Sequence, residues 1–164
     1  MYLSGPALSG PTTFNGLPAH VLLVHALVVL VPLTAALLIV SAVWAAARRR
    51  LVWLTAVLAA VVVALTPLTT EAGEWLAQRV GSTPEVEKHI ELGGSTLYFV
   101  IPLLVVAVLL LLWHWREQRG ATVGKGVVSI FIVLAIVAGV AASVHIYRVG
   151  DSGTRAVWGG ITAV

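Results

Sequence analysis

The sequence contains no cysteine and very little charge. The absence of cysteine excludes disulfides, thiolate metal sites and a cysteine nucleophile. Only 10% of the 164 residues are Asp, Glu, Lys or Arg, whereas a soluble domain carries roughly 25%. Hydrophobic residues make up 59% of the chain, and the mean hydropathy is +1.00. Because so few charges cannot cover a water-exposed globule, the composition predicts an integral membrane protein.

Sequence motifs of the common enzyme classes are also absent. The chain has no phosphate-binding glycine loop, no H-E-x-x-H and no G-x-S-x-G. This absence favours a protein that is not an enzyme, and we predict no catalytic residue.

Four apolar stretches are long enough to cross a bilayer, with approximate bounds 20–47, 51–76, 88–116 and 126–149. About 20 apolar residues span the hydrocarbon core, and backbone polar groups in lipid are satisfied within helices. Short connections make successive helices antiparallel neighbours. We therefore predict one all-α domain over residues 1–164, an up-down four-helix bundle with polar tails at both ends. No internal repeat is apparent.

Basic residues are concentrated in the two short connections. These connections hold one acid, Glu117, and six basic residues: Arg48, Arg49, Arg50, Arg116, Arg119 and Lys125. The positive-inside rule places both connections in the cytoplasm. We therefore predict a multi-pass protein of the cell membrane with both termini outside. Since the basic residues are sorted by membrane side, the net charge of +3 does not indicate nucleic-acid binding.

Titratable side chains collect at the predicted outer end of the bundle. Depth can be measured from the basic connections at about 1.5 Å per helical residue. Three groups lie at roughly 30–34 Å: His25, Glu71 and His145. A second layer lies at roughly 35–42 Å: His20, Glu74, His89, Glu91 and Arg148. Ionisable groups in membrane helices usually face the interior and pair, so a polar cluster is expected there.

His25 is the most informative member of this cluster, because the stretch "HVLLVHALVVLV" surrounds it with apolar residues. An unpartnered buried imidazole would cost on the order of 1–3 kcal/mol. We therefore predict that His25 and His89 form a cofactor site, and that Glu71 and Glu74 join them if the ligand is a metal. Haem b needs only two axial histidines, whereas zinc or iron suits mixed imidazole and carboxylate ligands. Supporting roles are predicted for five residues: His20, Glu91, His145, Arg148 and Asp151.

A purely structural interpretation stays open beside this one. In it, Glu71 or Glu74 pairs with Arg148 or Arg79, and the cluster only stabilises the bundle. We also predict that Glu71 and Glu74 face the bundle interior and that at least one of them pairs with Arg148 or a histidine. The polar, glycine-rich stretch "RVGDSGTRAVWGG" near the C-terminus is predicted to be an exposed or re-entrant segment.

Four stretches resemble one known family: "FNGLPAHVLLVHALVVLVPL", "LTPLTTEAGEWL", "VEKHIELGGS" and "YRVGDSGTRAVW". They are similar to the actinobacterial branch of a bacterial four-span membrane family, labelled domain of unknown function 2231. The matching positions are His20, His25, Glu71, Gly73, Glu74, His89, Glu91, Arg148, Gly150, Asp151 and Gly153; His145 does not match. Some relatives resemble subunits attached to redox domains. The resemblance therefore implies electron transfer, with respiratory or redox membrane proteins as partners besides the lipid bilayer.

Two function classes remain at this point. One is a membrane protein that holds haem or a metal ion near its outer face. The other is a non-enzymatic scaffold or accessory subunit whose polar cluster is structural.

Overall fold

The computed structural model describes residues 13–14 and 17–159. A two-residue antiparallel pairing of β1 (Thr13–Phe14) with β2 (Leu17–Pro18) precedes the first helix. Five helices follow: α1 (Ala19–Val43), α2 (Ala45–Val80), α3 (Pro84–Gly94), α4 (Thr96–Gln118) and α5 (Lys125–Trp158). The helices α3 and α4 follow one another across Ser95. Four segments are long and apolar enough to span a membrane, α3 and α4 counting as one.

The helices form an all-α four-helix bundle, as the sequence predicts. The helix α1 packs against α2 and α5, and α4 packs against the same two helices from the opposite side. The short helix α3 packs mainly against α5. Close approach of α1 and α5 depends on Gly139, since an added Cβ would lie 3.1 Å from Ile39 Cδ1 and 3.3 Å from Ala35 Cβ. Small residues at such contacts let membrane helices pack tightly.

The middle of the bundle is filled by aliphatic side chains. Val31 and Leu38 of α1 meet Leu103 and Leu110 of α4, and all four are completely buried. Among the described residues, the buried polar side chains at this level are threonines such as Thr34 and Thr55, not ionisable groups. This apolar layer separates two polar clusters, one at each end of the bundle.

The boundary between the first two helices lies earlier than predicted. The helix α1 ends at Trp44, whose φ of −119° and ψ of 108° are extended, and α2 begins at Ala45. Arg48, Arg49 and Arg50 therefore lie within α2 and not in a loop. Ala and Arg are strong helix formers, so "AAARRR" continues a helix once the chain has turned.

The third predicted span is divided. Thr83 caps α3, its hydroxyl accepting from the Val86 N–H at 3.3 Å, and Pro84 occupies the first helical position, where it is well tolerated. Ser95 then separates α3 from α4. This break places α3 against α5 at the end of the bundle that carries His20, His89 and His145, which we call the histidine end. The opposite end, which carries Arg48, is the arginine end.

The segment predicted to be exposed or re-entrant near the C-terminus is largely exposed over its described part, and it is helical, because α5 continues to Trp158. Local contacts explain the extension. The Arg155 guanidinium donates to Asp151 one turn earlier at 2.9 Å. The hydroxyls of Ser152 and Thr154 donate to carbonyls of the preceding turn.

Candidate functional site at the histidine end

His20 is fixed against α2 by one hydrogen bond and one close approach. It lies in the first turn of α1, and its Nδ1–H donates to the Thr69 carbonyl at 2.9 Å. The residue one turn beyond Thr69 on the same face of α2 is Gly73. A Cβ added to Gly73 would lie 2.8 Å from the His20 ring. A glycine is therefore needed for the imidazole to reach the carbonyl.

His89 is fixed against α5 in the same manner. Its Nδ1–H donates to the Val149 carbonyl at 3.1 Å and lies 3.0 Å from Ser152 Oγ. The Ser152 hydroxyl donates to that same carbonyl at 2.8 Å, so its oxygen is left to accept from the ring. One turn beyond Val149 is Gly153, where an added Cβ would lie 3.0 Å from His89 Cε1.

The two halves of the chain thus repeat one arrangement. In each half, a histidine on the first helix donates to carbonyl i of the last helix, and residue i+4 of that last helix is a glycine. The pairs are Thr69 with Gly73, and Val149 with Gly153. No internal repeat is apparent in the sequence, and the structure shows this one local correspondence between the two halves. The signal that could have found it is short, an acid two residues before each glycine in "EAG" and "DSG".

The two imidazoles meet at the centre of the histidine end. Their ring centroids are 6.0 Å apart, and the planes lie at 82°. Beside them is a cavity of about 30 Å³. Eleven residues line it: His20, Val24, Leu27, Thr66, Thr69, Thr70, His89, Gly93, Thr96, Ile146 and Val149. A water needs at least about 10–15 Å³, so the cavity has room for a water or a single ion but not for a porphyrin.

His145 supports the wall of this cavity. It is 5% exposed, and its Nε2–H donates to the Leu92 carbonyl at 3.1 Å with Thr96 Oγ1 at 3.2 Å. Its ring stacks on Phe99, with centroids 4.0 Å apart and planes at 7°. These contacts join α5 to the junction of α3 and α4. The supporting role predicted for His145 stays a prediction.

The predicted meeting of His25 with His89 is wrong. His25 is exposed on the side of α1, and its Nδ1–H donates to the Val21 carbonyl of its own helix. Five residues at about 100° each turn His25 roughly 140° away from His20, so only His20 can point to the centre. Of the apolar residues around His25, Val21, Leu22, Val28 and Val29 are exposed, whereas Leu27 and Val31 belong to the core on the other side of the helix.

The predicted pairing of Glu71 or Glu74 with Arg148 or a histidine is also wrong. Glu74 is exposed, and Glu71 is half-buried with a buried Oε2 that has no hydrogen-bond partner. Two residues at about 100° each place Glu71 roughly 200° around α2 from Thr69, away from His20. Ion pairs in the described part of the chain join Arg48 with Glu117 and Arg155 with Asp151.

The remaining residues with predicted supporting roles also lie apart from the His20 and His89 rings. Glu91, Arg148 and Asp151 are exposed. Within residues 13–14 and 17–159, no group of three His, Cys, Asp or Glu side chains is arranged to hold a metal ion. The structure therefore brings together His20 and His89, braced by His145, and does not bring the predicted carboxylates to them.

A second polar cluster, at the arginine end, was missed. Arg48 is 4% exposed, and the Nε–Nη2 edge of its guanidinium donates to both oxygens of the Glu117 carboxylate, at 2.9 to 3.3 Å. Its Nη1 donates to the Ser41 carbonyl at 3.1 Å, and its guanidinium lies 3.8 Å from the Trp113 ring centroid. The signal in the sequence that could have indicated this pair is Glu117, the single acid among the six basic residues of the two short connections.

The comparisons with known proteins agree with the bundle. The family model described as "Predicted membrane protein (DUF2231)" matches residues 16–164. No curated protein and no solved structure gives a significant match to this chain. The matched region includes all four membrane-spanning segments and both polar clusters. The chain therefore belongs to the DUF2231 family of membrane proteins.

Proposed function

We propose that this membrane protein binds one transition-metal ion at its histidine end, between His20 and His89. The observation that carries the proposal is the convergence of two imidazoles, one from each half of the chain, beside a small cavity. In transporters built from repeats, ligand sites lie where the repeats meet. The arrangement of His20 and His89 is of that kind.

The hydrogen bonds of both rings prepare them as ligands. Each Nδ1 donates to a backbone carbonyl, so the neutral ring keeps the lone pair of its Nε2. Histidines that bind metals usually donate their other ring nitrogen in this way, which fixes the tautomer and the ring orientation. Gly73 and Gly153 hold the rings close to those carbonyls.

The donor set favours a borderline ion such as zinc or iron, since imidazole suits both. Thr66, Thr69 and Thr70 line the cavity, and their hydroxyls donate to carbonyls of their own helix. Water would complete the coordination, because no carboxylate lines the cavity. Two protein ligands make an open and exchangeable site. Haem is the less favoured ligand, as the cavity would have to widen several-fold.

An iron ion at this position would support electron transfer, whereas zinc has no redox chemistry. Electron exchange with a respiratory or redox membrane protein is the role we assign to the iron-bound form. Both termini and the histidine end would then face outward, as the basic residues of the arginine end favour.

Metal content of the purified protein tests the proposal. The protein is loaded with Zn²⁺ or Fe²⁺, freed of excess ion and assayed by elemental analysis. We expect about one ion per chain in the wild type, and a loss in His20→Ala and in His89→Ala. His25→Ala is the matched control, because it removes an exposed imidazole from the same helix. Equal metal content in all four proteins would defeat the proposal, and a Soret band lost in the same two variants would replace the ion by haem.

A purely structural role is the second candidate, favoured by the fact that His20, His89 and His145 each join two elements. His20 links α1 to α2, His89 links α3 to α5, and His145 links α5 to the α3–α4 junction. In this case His20→Ala and His89→Ala lower the melting temperature equally with and without added metal. A stabilisation of the wild type by metal that both variants lack would exclude a purely structural role.

A further inference from the structure

The arginine end contains a cavity that is larger than the one at the histidine end and that the proposed metal site does not involve. Its volume is about 270 Å³, and it is lined by Arg49, His114, Glu117 and Gln118. It lies where α2 begins and α4 ends, at the boundary between the bundle and its connections. Among its lining residues, Arg49 and Glu117 are charged, and His114 is a buried polar side chain.

The net charge of this cavity is positive. The Glu117 carboxylate is already neutralised by the buried Arg48, whose Nε and Nη2 donate to it while Nη1 donates to the Ser41 carbonyl. Arg49 is exposed and belongs to no ion pair in the described part of the chain. Its guanidinium is therefore the uncompensated charge at the cavity, and it offers donors in a planar fork that suits phosphate oxygens.

His114 adds a buried donor that lacks an acceptor. It is 2% exposed, and the Gln118 side-chain amide donates to its Nε2 at 2.9 Å. The proton of the neutral ring is then on Nδ1. That Nδ1 is buried and has no hydrogen-bond partner. A buried donor without an acceptor is costly, so a ligand oxygen that reached it would be bound favourably.

The depth of the cavity indicates where such an oxygen comes from. Trp44, Trp53 and Trp115 are about half exposed or more around this end of the bundle. Exposed tryptophans mark the headgroup level of a bilayer. Basic pockets at this level bind anionic lipid headgroups. The exposed aliphatic faces of the helices continue from this level into the hydrocarbon region, where acyl chains would lie.

We propose that this cavity binds the phosphodiester headgroup of an anionic phospholipid. Arg49 binds the phosphate charge, and the His114 Nδ1–H, which is buried, donates to one of its oxygens after a rotation of the ring towards the cavity. Glu117 accepts from a hydroxyl of the headgroup, which distinguishes phosphatidylglycerol from phosphatidylcholine. Arg48 acts as a positioning residue, since it holds Glu117 in place without facing the lipid.

Native mass spectrometry of the whole chain tests this proposal. The protein is transferred into detergent with equimolar phosphatidylglycerol and phosphatidylcholine, and the lipids retained are counted. We expect one phosphatidylglycerol in the wild type. In Arg49→Ala its affinity falls about fivefold or more, because one basic residue near the surface contributes about 1 kcal/mol. Arg50→Ala is the control. It removes the same charge from the next residue, whose side chain does not line the cavity.

A second variant separates the cavity from general charge. His114→Phe keeps a ring of similar shape but has no Nδ1–H, so it should also lose retention, while circular dichroism reports whether it still folds. Equal losses in Arg49→Ala and Arg50→Ala would overturn the proposal, as would equal retention of the two lipids. Displacement of the lipid by millimolar inorganic phosphate alone would identify a soluble anion site and overturn the assignment to lipid.

Discussion

The His20 and His89 rings lie at 82° with their centroids 6.0 Å apart, although 69 residues separate them in the chain (89 − 20). Each ring reaches this position by donating to a carbonyl whose helix has a glycine four residues later. The relationship explains why "EAGEW" has a glycine between its two acids. Gly73 makes room for a histidine of the neighbouring helix, and the two acids lie on the other side of α2.

Gly73→Ala should destabilise the protein by about 1–3 kcal/mol, the usual cost of overpacking. The new Cβ would lie 2.8 Å from the His20 ring and would push it off the Thr69 carbonyl. The measurement is thermal unfolding in detergent, with metal binding determined in parallel. Gly94→Ala is the control, because nothing lies within 4 Å of its Cβ and alanine is favoured in helices. Equal stability of the two variants would contradict the close approach.

The repeat makes a matching prediction for the second half of the chain. Gly153→Ala should be destabilising in the same sense but by less, since its nearest contact with His89 is 3.0 Å. Combining Gly153→Ala with His89→Ala removes the crowding, so the double variant should be more stable than the sum of the single changes predicts. We expect a coupling of about 0.5–3 kcal/mol. Additive effects would show that Gly153 matters for some reason other than the ring.

Arg48→Met should cost about 3 kcal/mol, the lower end for breaking a buried pair, because the Glu117 side chain is 33% exposed. The substitution leaves the carboxylate without its partner and removes the cation from the Trp113 face. Adding Glu117→Gln should recover much of the loss. Arg50→Met changes the same net charge on the exposed side and should be nearly neutral. A loss as large in Arg50→Met as in Arg48→Met would contradict a specific role for the pair.

The orientation can be tested by reporters fused after Val164. We expect alkaline phosphatase, which folds outside the cytoplasm, to be active, and green fluorescent protein to be dark. The physical reason is the excess of basic residues in the two connections at the arginine end. A fluorescent fusion with an inactive phosphatase would reverse the orientation and place the histidine end in the cytoplasm.

The sequence predicts the bundle well because span length and apolar composition follow directly from the thickness of a bilayer. It predicts the level of the polar cluster for the same reason, since depth is counted along helices. It does not predict the direction in which each side chain points around its helix. His20 and His25 differ by about 140°, and only packing decides which of them faces inward. The lipid face of a membrane helix is as apolar as its core, so the neighbours of His25 gave no signal of exposure.

The arginine end shows a second limit of what the sequence can predict. Three consecutive arginines, Arg48 to Arg50, look identical in sequence, and the positive-inside rule treats them alike. The structure buries the first against Glu117 and leaves the other two exposed. Which arginine is buried depends on the turn at Trp44, whose extended backbone determines how α2 begins. A count of charges contains no information about that turn.

The aliphatic layer of Val31, Leu38, Leu103 and Leu110 works as an electrical insulator between the two ends. An ion held by His20 and His89 would have to give up its ligands and enter a medium where a bare charge is very unfavourable. Such an ion would therefore equilibrate with only one aqueous phase. Occupancy of the proposed metal site would follow the conditions on that side of the membrane alone, while the proposed lipid site at the arginine end would respond to the opposite leaflet. The two proposed sites would then be occupied independently of each other.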